Sequence, residues 1–172
     1  MRALVFTIVG FTLTILWFLF ESMIGWHDET LTFGSEVAWF CIPIITTLGS
    51  MIVGRTSSDG PYRYIQAVRT GLLAAVFGGV GVGLAWLLYI VVLDPSYLGM
   101  MVEHRRQAAV AQGLTEGQVR TVVAATVTVM TVPISSLTAV VAAILSGSGF
   151  AALGALLFHI FPKKTLDQGV SD

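Results

Sequence analysis

Four long apolar segments with short polar connections account for most of the chain. They cover residues 3–20, 34–53, 68–93 and 134–161. The hydrocarbon core of a bilayer is about 30 Å thick, and about 20 apolar residues in an α-helix cross it. Because unpaired backbone groups are costly in lipid, segments of this length are predicted to be helices. The pattern predicts an all-α polytopic membrane protein with four transmembrane helices, in a single membrane domain over residues 1–172.

The last apolar segment is longer than one perpendicular crossing of the membrane. Its 28 residues extend about 42 Å at a rise of 1.5 Å per residue, against a core of about 30 Å. We therefore expect this helix to tilt, protrude or break. Paired Gly and Ser residues from Ser146 to Gly149 favour a kink at its middle. The alternative is a functional discontinuity of the kind that builds ion sites in transporters.

A charged stretch between the third and fourth segments interrupts the apolar pattern. Asp94 suits an N-cap and Pro95 suits the first helical position, so a helix is predicted to begin there. Gln112 and Gly113 are expected to end this helix. The whole insert, about residues 95–132, is predicted to form an amphipathic helical hairpin at the membrane surface.

The second arm of the hairpin has its own start and stop signals. Thr115 and Gln118 form the T-x-x-Q pattern of a capping box, and Glu116 is placed to pair with Arg120 one turn later. Pro133 is expected to stop or kink the helix. The apolar part of this arm is 11 residues long, which is too short for a span and favours a position at the interface.

Small residues recur at every fourth position in the third and fourth segments. Such rows let helix backbones approach closely in lipid, within one bundle or between copies. An i, i+4 row turns about 40° around the helix at each step, so we expect two short contacts per helix and no single long seam. Lining a pore is the alternative role. The candidate packing residues are Ala67, Gly71, Ala75, Gly79 and Gly83 in the third segment, and Ala139, Ala143, Gly147 and Ala151 in the fourth.

Composition and charge agree with a membrane protein and suggest its orientation. Charged residues make up 11% of the chain, against about 25% in soluble domains. The net charge of −1 gives no indication of a nucleic-acid partner. Because basic residues concentrate on the cytoplasmic side, both termini are predicted to be cytoplasmic and the hairpin extracytoplasmic. Six basic residues fall on the side predicted to be cytoplasmic, against three (Arg105, Arg106 and Arg120) on the other; the six are Arg2, Arg55, Arg63, Arg69, Lys163 and Lys164.

Aromatic and acidic residues near the ends of the segments are expected at the membrane surface. Glu21 ends the first apolar segment, where a carboxylate can meet headgroup water. The tryptophans and tyrosines are predicted to be interfacial anchors. They are Trp17, Trp26, Trp39, Trp86, Tyr62, Tyr64, Tyr89 and Tyr97.

The chain shows no motif that carries a recognised chemistry. The three histidines have no metal-ligand spacing, Cys41 is the only cysteine, and no serine has a partnered histidine and acid in a known motif. Gly79, Gly81 and Gly83 alternate inside an apolar helix and do not form a nucleotide-binding loop. We therefore expect no enzyme activity, no metal site and no cofactor.

The hairpin region carries a family resemblance. The residues involved are Asp94, Pro95, Tyr97, Leu98, Gln112, Gly113, Thr115, Glu116, Gln118 and Pro133, with Gly60, Tyr64, Ala67 and Gly71 upstream and Lys163 and Lys164 downstream. Their order resembles a family of small bacterial four-helix membrane proteins that is catalogued only as a domain of unknown function. The resemblance covers about residues 60–164 and implies four helices with an insert of this kind. It implies no activity.

The small-residue rows and the hairpin, together with the lack of a catalytic motif, favour an interaction role over solute transport. The favoured function is a non-catalytic accessory, assembly or interaction protein of the bacterial inner membrane. Such a protein would lie in the lipid bilayer and pack against itself or a larger membrane-protein complex through its small-residue rows and its hairpin. The alternative is a small oligomeric transporter or channel for an ion or small solute.

Overall fold

The structure is a computed structural model that describes residues 2–24, 33–58 and 63–160. Within these ranges the chain is helical and contains no strand, so the all-α prediction is confirmed. The helices are α1 (Arg2–Ile24), α2 (Phe33–Thr56), α3 (Tyr64–Leu88), α4 (Tyr97–Ala111), α5 (Glu116–Val129) and α6 (Val132–Ile160). A π-helical segment, Tyr89–Leu93, extends α3.

Three helices in the described part of the chain are long and apolar enough to cross a membrane. The qualifying stretches are Leu4–Glu21 of α1, Tyr64–Leu93 of α3 with its extension, and Val132–Ile160, which is all of α6. In α2 the apolar stretch Phe40–Thr56 is shorter. Three of the four predicted spans are thus supported by length and composition, and the crossing predicted over residues 34–53 stays a prediction.

The central helix is α3, which packs against α6, α1 and α2. Gly71 lies beside Ala151 and Gly83 beside Val140, so α3 and α6 are antiparallel. Gly10 lies beside Gly78, and Phe18 beside Trp86, so α1 runs parallel to α3. The start of α1, the end of α2, the start of α3 and the end of α6 therefore share one end of the bundle. We call it the basic end, after Arg55, Arg63 and Arg69; the hairpin lies at the other end.

Helix α6 is a continuous α-helix of 29 residues. The helix is unbroken through Ser146–Gly149, so the functional discontinuity that was the alternative there is absent, and the tilt or kink of this helix stays a prediction. The Ser146 hydroxyl donates to the Ala143 carbonyl at 3.1 Å and stays within the helix. Gly147 is buried against Ala75 of α3, and close packing of this kind holds a glycine in helical geometry despite its low propensity.

The start of α4 also differs from the prediction. The helix begins at Tyr97 with Ser96 as its N-cap, so Asp94 is not the N-cap and Pro95 is not the first helical residue. Asp94 still donates its N–H to the Tyr89 carbonyl at 2.8 Å, which closes the π-helical segment. Its Oδ1 accepts from the Ser96 N–H at 3.2 Å and hydroxyl at 2.6 Å. The aspartate thus stabilises the turn before α4.

Candidate functional site

The turn of the hairpin is built as the sequence predicts. Helix α4 ends at its C-cap Gln112, and Gly113 follows with φ of 75°. The Gly113 N–H donates to the Val110 carbonyl at 2.9 Å, and the Leu114 N–H donates to the Ala109 carbonyl at 3.3 Å. This pair of hydrogen bonds is a Schellman motif, in which a positive φ favours glycine. The backbone of the turn is therefore specified by one residue.

The second arm begins with the expected capping box. The Thr115 hydroxyl accepts from the Gln118 N–H at 3.4 Å, and the Gln118 side chain accepts from the Thr115 N–H at 2.9 Å. Glu116 and Arg120 form an exposed ion pair on the same helix. Pro133 lies in the first turn of α6, where its missing N–H removes no helical hydrogen bond. It marks the start of the next helix.

Helix α5 is the one helix of the hairpin that buries no residue. It packs on α4, but none of its residues, all of which the structure describes, is buried. Val127 and Val129 are each 51% exposed. Helix α4, by contrast, buries Tyr97, Met101 and Ala109. The hairpin is thus fixed to the bundle through α4 and presents α5 outward.

A cluster of aromatic side chains, which we call the aromatic base, fixes the hairpin to the bundle. Phe18 stacks on Tyr89 with ring centroids 4.6 Å apart, and Trp86 meets Tyr97 edge-on at 5.3 Å. Leu98 packs against the same cluster. Trp86, Tyr89 and Tyr97 are each at most 4% exposed. They are core residues, so their expected role as interfacial anchors was wrong.

Glu21 of α1 is buried near the aromatic base and does not face the surface. Its side chain is 2% exposed, and Oε1 has no hydrogen-bond partner among the described residues. Trp17, one turn earlier, is a hydrogen-bond partner of its carboxylate. Close by, the Tyr89 hydroxyl donates to Asp94 Oδ2 at 3.4 Å. A carboxylate that the sequence placed at the membrane boundary therefore lies in the packed interior, near Tyr89.

The row of small residues on α3 forms one contact with α6. A Cβ on Gly71 would lie 2.6 Å from the Ala151 Cβ, and one on Gly147 would lie 2.8 Å from the Ala75 Cβ. The two short contacts expected per helix were therefore wrong. An i, i+4 row is slanted to the helix axis, so a partner inclined by the same slant follows it along its length. The remaining packing candidates, Ala67, Gly79, Gly83, Ala139 and Ala143, are buried as well.

A second glycine face on α3 receives α1. Gly81 lies against the Thr7 carbonyl, and Gly78 lies against the backbone of Gly10. The dense glycines of this segment therefore serve two neighbours, since successive positions on a helix point in different directions. Spacing by four identified the face towards α6 and missed the face towards α1.

A large groove opens between α1, α2 and α3 at the basic end, and we call it the basic-end groove. Its volume is about 1130 Å³. Along most of its length the wall is apolar, whereas its end carries Ser57, Gln66 and Arg69. The lining residues are Val5, Phe6, Val9, Leu13, Ile45, Thr46, Gly49, Ser50, Val53, Gly54, Ser57, Ser58, Gln66, Arg69, Thr70 and Leu73. The groove thus combines an apolar wall with a polar, positively charged end.

The described residues contain no group of three or more histidine, cysteine, aspartate or glutamate side chains placed to hold a metal ion. The candidate sites are thus the hairpin surface and the groove.

The family comparison covers nearly the whole chain. The family model described as "Protein of unknown function (DUF4199)" matches residues 5–161. The chain belongs to this family. The match takes in α1 and α2, to which the resemblance over residues 60–164 did not extend. No curated protein and no solved structure matches the chain. A function for this DUF4199 member has to be argued from its geometry.

The groove residues of this DUF4199 member were not found from the sequence as a site. From the sequence, Arg69 indicated only the orientation of the chain in the membrane. A usable signal was present, because Gln66, Arg69, Thr70 and Leu73 follow the i, i+3, i+4, i+7 spacing of one helix face. The opposing walls from α1 and α2 are far away in sequence, and only the fold brings them to that face.

Proposed function

We propose that the protein is a non-catalytic accessory protein of the bacterial inner membrane, which binds a membrane-protein partner or a second copy of itself through the hairpin. The observation that carries the proposal is the surface of α5. This helix has a defined start at Thr115 and follows a defined turn at Gly113, yet it buries no residue. A capped helix that packs chiefly on α4 and buries none of its residues supports a role in contact with another molecule.

The small-residue rows are used for packing within the chain, so the proposed contact with a partner is the hairpin and not these rows. The rows on α3 and α6 face each other within one chain, so their small residues are covered. The transporter alternative was motivated by a break at Ser146–Gly149 and by the many small residues of this helix, but α6 is continuous from Val132 to Ile160. These observations support an interaction role more than a solute pathway.

The proposal includes an orientation with both termini in the cytoplasm. Its support is the excess of basic residues in the sequence, six on the side of Arg55, Arg63 and Arg69 against three in the hairpin. Single cysteines at Ser57 and Gln107, in a Cys41→Ser background because Cys41 is exposed, test it with a membrane-impermeant thiol reagent. In intact cells only the Gln107 position should label. Labelling of both positions from the same side would contradict the orientation.

Site-specific photo-crosslinking tests the proposed contact. A photoreactive amino acid replaces Val127 on α5, and the matched control replaces Val141 on α6, which is similarly exposed at 46%. From Val127 we expect a discrete protein adduct, either a second copy or another membrane protein. From Val141 we expect lipid adducts. If both positions yield only lipid adducts, the hairpin is not a protein contact.

A further inference from the structure

The wall of the basic-end groove suits an acyl chain. Val9 and Leu13 of α1 and Ile45 of α2 line it. Two hydroxyl groups in this wall are already satisfied within α2. Thr46 donates to the Ile42 carbonyl at 3.0 Å, and Ser50 donates to the Thr47 carbonyl at 2.7 Å. The wall therefore offers apolar surface, with its polar groups turned back onto the helix.

The end of the groove suits an anionic headgroup. Arg69 lies there and forms no ion pair with another described residue, since the described ion pairs are Glu103–Arg106 and Glu116–Arg120. None of the residues that line the groove is acidic. Gln66 accepts the Arg63 N–H with its Oε1 at 3.0 Å, which leaves its amide N–H groups as donors. Positive charge beside amide donors is complementary to a phosphate.

The length of the groove matches one leaflet. From Ile45 to Gly54 the lining follows α2 for 9 residue steps, which is about 14 Å at 1.5 Å per residue. Half of a hydrocarbon core of about 30 Å is about 15 Å. A single lipid lying along α2 could therefore reach from Arg69 to the midplane.

We propose that the basic-end groove binds one anionic phospholipid, with its phosphate at Arg69 and an acyl chain between α1 and α2. This inference rests on the membrane placement in the proposed function and not on the hairpin contact. Lipid binding and hairpin crosslinking are separate measurements, so one can fail without the other.

Native mass spectrometry of the full chain in mild detergent tests the proposal. The protein is titrated with phosphatidylglycerol or phosphatidylcholine, and bound lipids are counted. Arg69→Gln removes the charge, and Arg120→Gln in the hairpin is its control. Gly49→Leu fills the groove, because a Cβ on Gly49 has nothing within 4 Å. Gly149→Leu is the matched control, since that glycine is equally open but lies outside the groove lining.

We expect one phosphatidylglycerol per chain, bound about tenfold more tightly than phosphatidylcholine, whose choline cation offsets the charge of the phosphate that both lipids share; Arg69→Gln should remove the difference. Gly49→Leu should weaken the binding of both lipids, and both controls should behave as wild type. Equal affinity of the wild type for the two lipids would overturn the proposal. It would also be overturned if Arg69→Gln bound lipid as Arg120→Gln does, or if Gly49→Leu bound lipid as Gly149→Leu does. Equally effective competition by inorganic phosphate would show that a soluble anion is the ligand. If Gly49→Leu instead converts a dimer into a monomer, the groove is a contact between two copies of the chain and not a lipid site.

Discussion

Gly10 and Gly78 meet backbone to backbone where α1 crosses α3. A Cβ on Gly10 would lie 2.5 Å from the Gly78 carbonyl oxygen and 3.1 Å from its Cα. Because the neighbouring atoms are backbone, no change of rotamer can make room for a side chain. This approach lets α1 lie close to α3 and, further along, brings Phe18 onto the aromatic base.

Gly10→Ala should lower the free energy of unfolding by about 1–3 kcal/mol, the usual cost of overpacking a tight contact. The two helices have to separate to admit the methyl group. Gly49→Ala is the control, because its Cβ enters open space. Denaturant titration in detergent, followed by helicity, measures both. Equal stability of the two variants would show that α1 and α3 do not approach this closely.

Gly147→Leu should disrupt the packing of α6, whereas Gly149→Leu, only two residues away, should not. A Cβ on Gly147 would lie 2.8 Å from the Ala75 Cβ and 2.9 Å from Thr47 Oγ1, whereas one on Gly149 has nothing within 4 Å. We expect Gly147→Leu to separate α6 from α3 and to abolish the folded monomer in size-exclusion chromatography. Gly149→Leu should elute as wild type, and impaired folding of that variant would argue against the packing described.

Thr115→Ala should destabilise the start of α5 by about 1 kcal/mol, because it removes the hydroxyl that accepts the Gln118 N–H. Amide hydrogen exchange should be faster in the first turn of α5 and unchanged in α3. Gly117→Ala is the matched control in the same turn, since its Cβ is unobstructed and alanine favours the helix. Comparable exchange in the two variants would mean that the cap does not hold the helix start.

Glu103 of α4 should titrate far below its ordinary pKa of 4.5. Hydrogen bonds from Arg106, at 2.8 and 2.6 Å, and from Gln107 lower the pKa of Glu103 to about 2. A lowered pKa means that the pair stabilises the folded state above about pH 4.5, and this contribution is lost as the pH falls towards 2. The groups are exposed, so the effect on unfolding is small. NMR titration of the carboxyl carbon should show the Glu103 pKa rising in Arg106→Gln, and an unchanged pKa would exclude Arg106 as its cause.

Local signals predicted the connections of the hairpin well because each depends on a few neighbouring residues. Gly113 adopts the positive φ of a helix end, and Thr115 with Gln118 caps the next helix. The start of α4 was misassigned by two positions, since the Asp94 side chain accepts from Ser96 and holds a turn ahead of the helix. A competing hydrogen bond of this kind does not show in the spacing of residue types.

The sequence by itself determined the helical class, the apolar stretches and the capped turn of the hairpin, because hydrophobic periodicity and cap chemistry are local properties. Only the tertiary structure decided which glycine face meets which helix, the burial of Glu21, and the groove that joins Arg69 to apolar residues of α1. These relationships depend on how helices far apart in sequence are inclined and paired. In an almost uniformly apolar chain, hydrophobicity distinguishes poorly between a face that packs on protein and a face that contacts lipid.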